Sequence, residues 1–369
     1  MIMRRFVAYL PKLIASVLRD YGEYDRDIRS AGAIGYIGME GGSIIKINAL
    51  SGVLDTFTPH TDDIFGMALD DDNNILTASK DGTFKKIDSD GNVLWTHDKY
   101  AADTYGTQCW CSGEANFIGT HGGDLAKLDA DGAEVWEITS GLGNIIGIRT
   151  DSSGNIFVIH FLWNGVWGWG ECYMSKISPA GIIQDTVLLD NQELNQPDEF
   201  WVWSQVRNRH FFVAFDISHD DQIYVGGAGW DEGGSKSCLQ YRVYNTAMEE
   251  IARITPEVVG WEQITALELD PQKNAVFTNH QNRPDTPGHT YLYKYDADHN
   301  RVWENDYDCG ATWLSHLALD AQGNVYICQW AANSVVMYSK DGTFVKKIDL
   351  ELGEYVWGDP RQQYIVIEK

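Results

Sequence analysis

All-β is the fold class this sequence predicts, as seven four-stranded antiparallel blades closed into a β-propeller, and three observations predict it. The first is Leu314 to Asp349, LSHLALDAQGNVYICQWAANSVVMYSKDGTFVKKID, four short alternating runs with Gly, Asn or Asp at each boundary. Those residues tolerate the backbone angles of tight turns, so the stretch reads as a four-stranded meander. The second is repetition: the turn residue between the first two strands recurs at Asn74, Asn116, Asn155, Gln222, Asn274 and Asn324, with spacings of 42, 39, 67, 52 and 50. The two shortest match a blade of about 40 to 45 residues, and the longer ones carry insertions. The third is an outer hairpin that repeats as KKIDSDGNVLW, AKLDADGAEVW, YKYDADHNRVW and MYSKDGTFVKK. A single meander cannot bury both of its faces, so several stack around an axis.

Taken in order, the chain begins with residues 1–30, MIMRRFVAYLPKLIASVLRDYGEYDRDIRS, where Phe6, Leu10, Leu13, Ile14, Val17, Leu18 and Tyr21 fall at roughly helical spacing. This predicts an amphipathic arm outside the ring, packed under it or docked into a neighbour. The basic start is similar to a secretory leader, but Pro11 and Lys12 interrupt the apolar run and no small-x-small site follows. An intracellular or particle-bound protein is therefore expected, and the run is too short and charged to span a bilayer. Residues 31–369 form the propeller. Complete blades are expected at 64–98, 105–138, 145–188, 211–254, 263–304 and 314–349. Residues 33–58 match the last three strands of a blade. The C-terminal run EYVWGDPRQQYIVIEK would supply the missing inner strand of a seventh, leaving Tyr364 to Glu368 over and an eighth, partial blade conceivable.

The 369 residues carry 53 acidic and 28 basic side chains, a net charge of −25, so nucleic acid and anionic membrane are poor partners, repelled at long range. The six cysteines, Cys109, Cys111, Cys172, Cys238, Cys309 and Cys328, are too sparse for a disulfide framework and read as buried thiols. Cys109 and Cys111 flank Trp110, which puts both sulfurs on one strand face.

Within the repeat, Asp70, Asp151, Asp270 and Asp320 end inner strands and are expected to cap the following turn. Trp95, Trp136 and Trp303 recur after the outer turn, as expected of packing between blades. LALDAQGNVYI with VVMYSKDGTFVKKID resembles an NHL-type repeat, and KIDSDGNVLWTH and KLDADGAEVWEI resemble blades of quinoprotein (pyrroloquinoline quinone-like) propellers. The resemblance implies the fold. Quinone binding in that family goes with adjacent cysteines, whereas Cys109 and Cys111 are separated.

Function is expected where the repeat is broken. Three consecutive blades lengthen the loop between their second and third strands (162–171, 228–237 and 279–290), and the connection 189–210 opens on the same face. This rim holds Trp163, Trp167, Trp169, Trp201, Trp203, Trp230 and Asp231. Exposed tryptophans serve protein hot spots and sugar rings alike, whereas a compact cap of packed loops is the plainer reading. In the channel, Arg149, Asp216 and Glu268 stand two residues before the capping position in three consecutive blades, as a charge network or as an acid–base site. His121 and His160 end second strands on adjacent blades, with His280 and His316 in reach, which raises a divalent metal as an alternative. The expectation is a non-enzymatic interaction module without cofactor. Its partners are other protein subunits of an assembly such as a phage or virus particle. The alternatives are a metal-dependent hydrolase or lyase at His121, His160, Asp216 and Glu268, and a glycan-binding propeller.

Overall fold

The structure is a computed structural model. It describes residues 32–100, 106–139, 141–163, 170–191, 200–201, 214–230, 237–255, 262–283, 286–287, 289–308, 315–329, 334–350 and 362–368. The arm lies outside them. Seven antiparallel sheets follow one another in chain order, each with four principal strands, so the architecture is a seven-bladed β-propeller. Blade 1 comprises Ile64–Leu69, Ile75–Ser79, Phe84–Ile87 and Val93–His97, and blade 2 Gly106–Ser112, Ala115–Thr120, Leu125–Leu128 and Glu134–Ile138. Blade 3 comprises Asn144–Thr150, Ile156–Trp163, Gly170–Ile177 and Ile183–Asn191, and blade 4 Ala214–Ile217, Ile223–Trp230, Ser237–Tyr244 and Glu250–Ile254. Blade 5 runs Glu262–Leu269, Ala275–Arg283, His289–Tyr295 and Arg301–Asp308, and blade 6 Ser315–Leu319, Val325–Gln329, Ser334–Tyr338 and Phe344–Asp349. The first strand of each blade is innermost. No helix of the described residues is long and apolar enough to cross a membrane.

Blade 7 joins the chain ends. Gln362–Ile367 is its inner strand, and Ile34–Met39, Ile44–Asn48 and Gly52–Phe57 are the other three. Tyr36 faces Val366 and Ile37 faces Ile365, while the Tyr36 hydroxyl donates to Glu368 at 2.9 Å. This corrects the expectation that Tyr364 to Glu368 would be left over: that stretch is itself the closing strand, and among the described residues no eighth sheet forms. The reason is alternation. Ile365 and Ile367 point to the blade 6 side and Tyr364 to the blade 1 side, and all are buried. The EYVW stretch lies outside the described residues.

The core is divided among the blade interfaces. Seven clusters of buried side chains correspond to the seven pairs of neighbouring blades, Ile45 and Ile365 meeting Tyr326 and Val335 between blades 7 and 6, and Tyr36 and Tyr364 meeting Ile64 and Met67 between blades 7 and 1. Each fully buried aliphatic side chain contributes about 1.5 to 3 kcal/mol. Cys109 and Cys111 both lie in the cluster between blades 1 and 2, and they, Cys172 and Cys328 are buried free thiols. The Cys238 side chain and all of Cys309 lie outside the described residues.

Turn chemistry holds the strands in register. The Asp70 carboxylate accepts the Asp72 and Asn74 amides at 3.0 and 2.7 Å and the Asn74 side-chain amide at 3.0 Å. The same five-residue device recurs at Asp151–Asn155, Asp270–Asn274 and Asp320–Asn324, and in the outer turns Asp88–Asn92 and Asp296–Asn300. Outside, the indole nitrogens of Trp95, Trp136 and Trp303 donate to the Ala130, Pro179 and Lys340 carbonyls of the next blade's outer turn at 3.0, 3.0 and 3.1 Å.

Candidate functional site

Antiparallel strands send alternate connections to opposite ends of a blade, so the ring has two distinct faces. One carries the short turns between first and second strands; the other carries the second-to-third loops and the connections between blades. The channel is built differently toward each.

Toward the short-turn face a cavity of about 630 Å³ opens, lined by all seven inner strands and their turns, including Met67, Trp110, Arg149, Asp216, Glu268 and Tyr364. Deeper in, it narrows to a space of about 20 Å³ bounded by Gln108, Thr265, His316 and, again, Arg149, Glu268 and Tyr364. That is room for a single water molecule.

The channel residues are brought together, each spanning to the next blade. The Trp110 indole donates to the Thr150 hydroxyl at 3.1 Å, and the Arg149 guanidinium lies 4.2 Å above the Trp110 ring. Arg149 Nε donates to Asp216 Oδ1 at 3.3 Å. Asp216 Oδ2 accepts the Leu269 amide at 2.9 Å, and Glu268 Oε2 accepts the Leu319 amide at 3.0 Å. The carboxylates therefore act as clasps between inner strands, offsetting their own desolvation with charge-assisted hydrogen bonds. The Tyr364 ring lies against His316, tilted by 34° with ring centroids 3.9 Å apart. Burial pushes the Tyr364 hydroxyl up to about 12 and the His316 imidazole down to about 3, so both are neutral near pH 7.

The two candidate metal histidines stand apart from these acids. His160 is buried in blade 3, its Nε2 2.9 Å from the Ser175 hydroxyl and its Nδ1 accepting the Gly143 amide at 3.1 Å. Burial takes its pKa down to about 4. His121 sits in the second-to-third turn of blade 2, its pKa lowered by burial. Neither lines the cavity, and among the described residues no group of three or more His, Cys, Asp and Glu converges as a metal site. The His280 side chain lies outside the described residues.

On the opposite face, the hairpins of blades 3 and 4 stay paired out to Trp163 opposite Gly170 and Trp230 opposite Ser237. The blade 5 hairpin ends with Arg283 opposite Thr286. Phe200–Trp201, from the connection between blades 3 and 4, pairs with Gly229 and Ala228. Backbone pairing thus brings Trp201 within two residues of Trp230. The side chains of Trp163, Trp201 and Trp230, and Trp167, Trp169, Trp203 and Asp231 altogether, lie outside the described residues.

Sequence reasoning missed His60, whose Nδ1 lies 3.0 Å from Asp81 and whose Nε2 lies 2.7 Å from the Thr77 hydroxyl. It stands on the connection into blade 1, and only the fold brings its partners from 17 and 21 residues away.

No family model matches this chain, and no curated protein sequence matches it. Among solved structures it is similar to virginiamycin B lyase from Staphylococcus aureus, at 9% identity and a TM-score of 0.55 over 78% of this chain and 84% of that one. It is also similar to a protein of unknown function from Bacteroides caccae (14%, TM-score 0.49, 75% and 94% covered) and to BamB from Moraxella catarrhalis (12%, TM-score 0.46, 84% and 82% covered). At 9% identity the lyase establishes a shared β-propeller fold and nothing further.

Proposed function

We propose that this chain is a non-enzymatic interaction module, an accessory or structural subunit of a larger assembly such as a virus particle. It binds protein through the rim of Trp163, Trp167, Trp169, Trp201, Trp203, Trp230 and Asp231 and through an amphipathic helical arm at residues 1–30. Its blades are NHL-like and quinoprotein-like repeats on the evidence of their residues. The observation that carries the reading is the pairing of Phe200–Trp201 with Gly229 and Ala228, which gathers an inter-blade connection and a lengthened hairpin onto one face. On the other side, Arg149, Asp216 and Glu268 are engaged in holding blades together. The test is native mass spectrometry of wild type and of a Trp167→Ser/Trp169→Ser/Trp230→Ser variant isolated from the native source. A stoichiometric protein complex present for the wild type and lost for a folded variant supports the rim; equal recovery from both refutes it.

A metal-dependent hydrolase or lyase is the second reading, favoured by the width of the channel beside Asp216 and Glu268. Elemental analysis decides it: one divalent ion per chain, lost in Asp216→Asn, would move the function to the channel. For glycan binding, sugars should quench rim tryptophan fluorescence.

A further inference from the structure

Near the end of each inner strand one position turns its side chain toward the next blade. In blade 2 it is Trp110, which donates to Thr150, and in blade 3 Arg149, which donates to Asp216. In blades 4 and 5 it is Asp216 and Glu268, whose carboxylates accept the Leu269 and Leu319 amides of blades 5 and 6. Ladder pairing puts Ala318, Val366 and Ala68 at the same position in blades 6, 7 and 1, opposite Tyr326, Tyr36 and Leu76. None of these three side chains carries an acceptor, so the clasp stops for three consecutive blades.

The amides that a clasp from blades 6 and 7 would have met are those of Ile367 and Leu69. The residues after them bond within their own blades: the Glu368 and Asp70 amides donate to the Ile34 and Asn74 carbonyls at 2.9 and 3.0 Å. Successive residues of an antiparallel ladder turn their N–H and C=O to opposite sides, so Ile367 and Leu69 aim both groups away from the blade, into the channel. Leu269 and Leu319 show the same alternation: the Asp270 and Asp320 amides donate to the Asn274 and Asn324 carbonyls, and the amide before each turns out to a carboxylate. Ile367 and Leu69 line the cavity of about 630 Å³, and so do Ala318, Val366 and Ala68, whose short side chains keep that side of it open. The volume falls within the range of about 300 to 1,000 Å³ usual for sites that hold small organic ligands.

We infer that this side of the channel binds a short uncharged peptide, or another small secondary amide with apolar substituents. Its carbonyl oxygens accept the Ile367 and Leu69 amides, in the place that the Asp216 and Glu268 carboxylates fill on blades 5 and 6. Its N–H groups donate to the Ile367 and Leu69 carbonyls, the exchange by which a peptide adds to a strand edge. Its apolar groups rest on Ala318, Val366 and Ala68. A carboxylate ligand is disfavoured, because it has no N–H to give and would stand beside Asp71 and Asp320. The site does not rest on the tryptophan rim, which lies on the opposite face.

The test is a backbone amide NMR titration of the full-length chain with N-acetyl-leucine N-methylamide. Saturable shifts should appear at the Ile367 and Leu69 amides, while the Leu269 and Leu319 amides, already capped, stay in place. Val366→Asp and Ala318→Glu give blades 7 and 6 the side chains that blades 4 and 5 carry at the same position, so both should fold. Each should weaken the probe by about tenfold, the net worth of one hydrogen bond. N-acetyl-leucine, which ends in a carboxylate, should bind more weakly than the amide. The wild-type shift map and the free-acid comparison stand without the variants. Shifts centred on Leu269 and Leu319, undiminished binding by the folded variants, equal binding of the free acid, or no saturable shift in the wild type would overturn the inference.

Discussion

His160 shows how one side chain sets the pH response of a blade. It is 4% exposed, and burial keeps it neutral down to about pH 4, whereas an unfolded imidazole takes its proton near 6.5. Between those values the unfolded chain binds more protons, so stability is fully present above 6.5 and is lost as pH falls toward 4, by on the order of 3 kcal/mol. The urea midpoint should therefore drop between pH 7 and pH 4.5, and His160→Gln, which can keep the Ser175 contact, should flatten that slope. Asp81 behaves oppositely in charge but alike in direction: burial works against ionisation, yet hydrogen bonds from His60 and Thr83 hold its carboxyl well below the usual range. Its contribution persists to much lower pH.

At the scale of the element, the outer turns join blade to blade. A Cβ on Gly132, whose φ is +81°, would come within 2.6 Å of the Trp95 ring. Gly132→Ala should cost more than about 1 kcal/mol, through backbone strain and displacement of the indole. Trp95→Ala should cost about 2 kcal/mol, and a double mutant less than the sum, since both report one contact; urea melts of the three variants check this. Inside the ring, Arg149→Ala leaves the Asp216 carboxylate without its guanidinium and removes the stack on Trp110, for a loss of roughly 3 kcal/mol. Thermal unfolding measures it, and Arg149→Lys should restore only part, because an ammonium cannot lie flat on the indole.

Across the whole molecule, the decisive feature is closure by the C-terminal strand. Deleting residues 362–369 removes Ile365 and Ile367 from the blade 6 interface and Tyr364 from the blade 1 interface, and uncovers the edge of Ile34–Met39. Such a chain should lose cooperative unfolding and associate through the open edge, which size-exclusion chromatography and near-ultraviolet circular dichroism would show. The net charge of −25 opposes association of the intact ring but does not replace the missing strand.

Much of this protein was legible in its residues because a repeat states its own structure several times. The Asp70, Asp151, Asp270 and Asp320 turns, the inter-blade tryptophans and the inward set Arg149, Asp216 and Glu268 all follow from local spacing, since alternation and turn chemistry act within a few residues. Contacts between distant residues did not. Which C-terminal run closes blade 7 depended on whether its alternating residues fit two neighbouring blades at once, and Gln362–Ile367 does. His60 acquires Asp81 and Thr77 only when blade 1 folds, and His121 and His160, adjacent in the repeat, end in surroundings remote from the channel acids. The sequence by itself determined the blades, their order and their inward side chains. Tertiary structure alone decided how the ring closes, that the inner carboxylates clasp neighbouring strands, and that the channel is wide toward the short-turn face and narrow deeper in, because each requires strands far apart in the chain to meet.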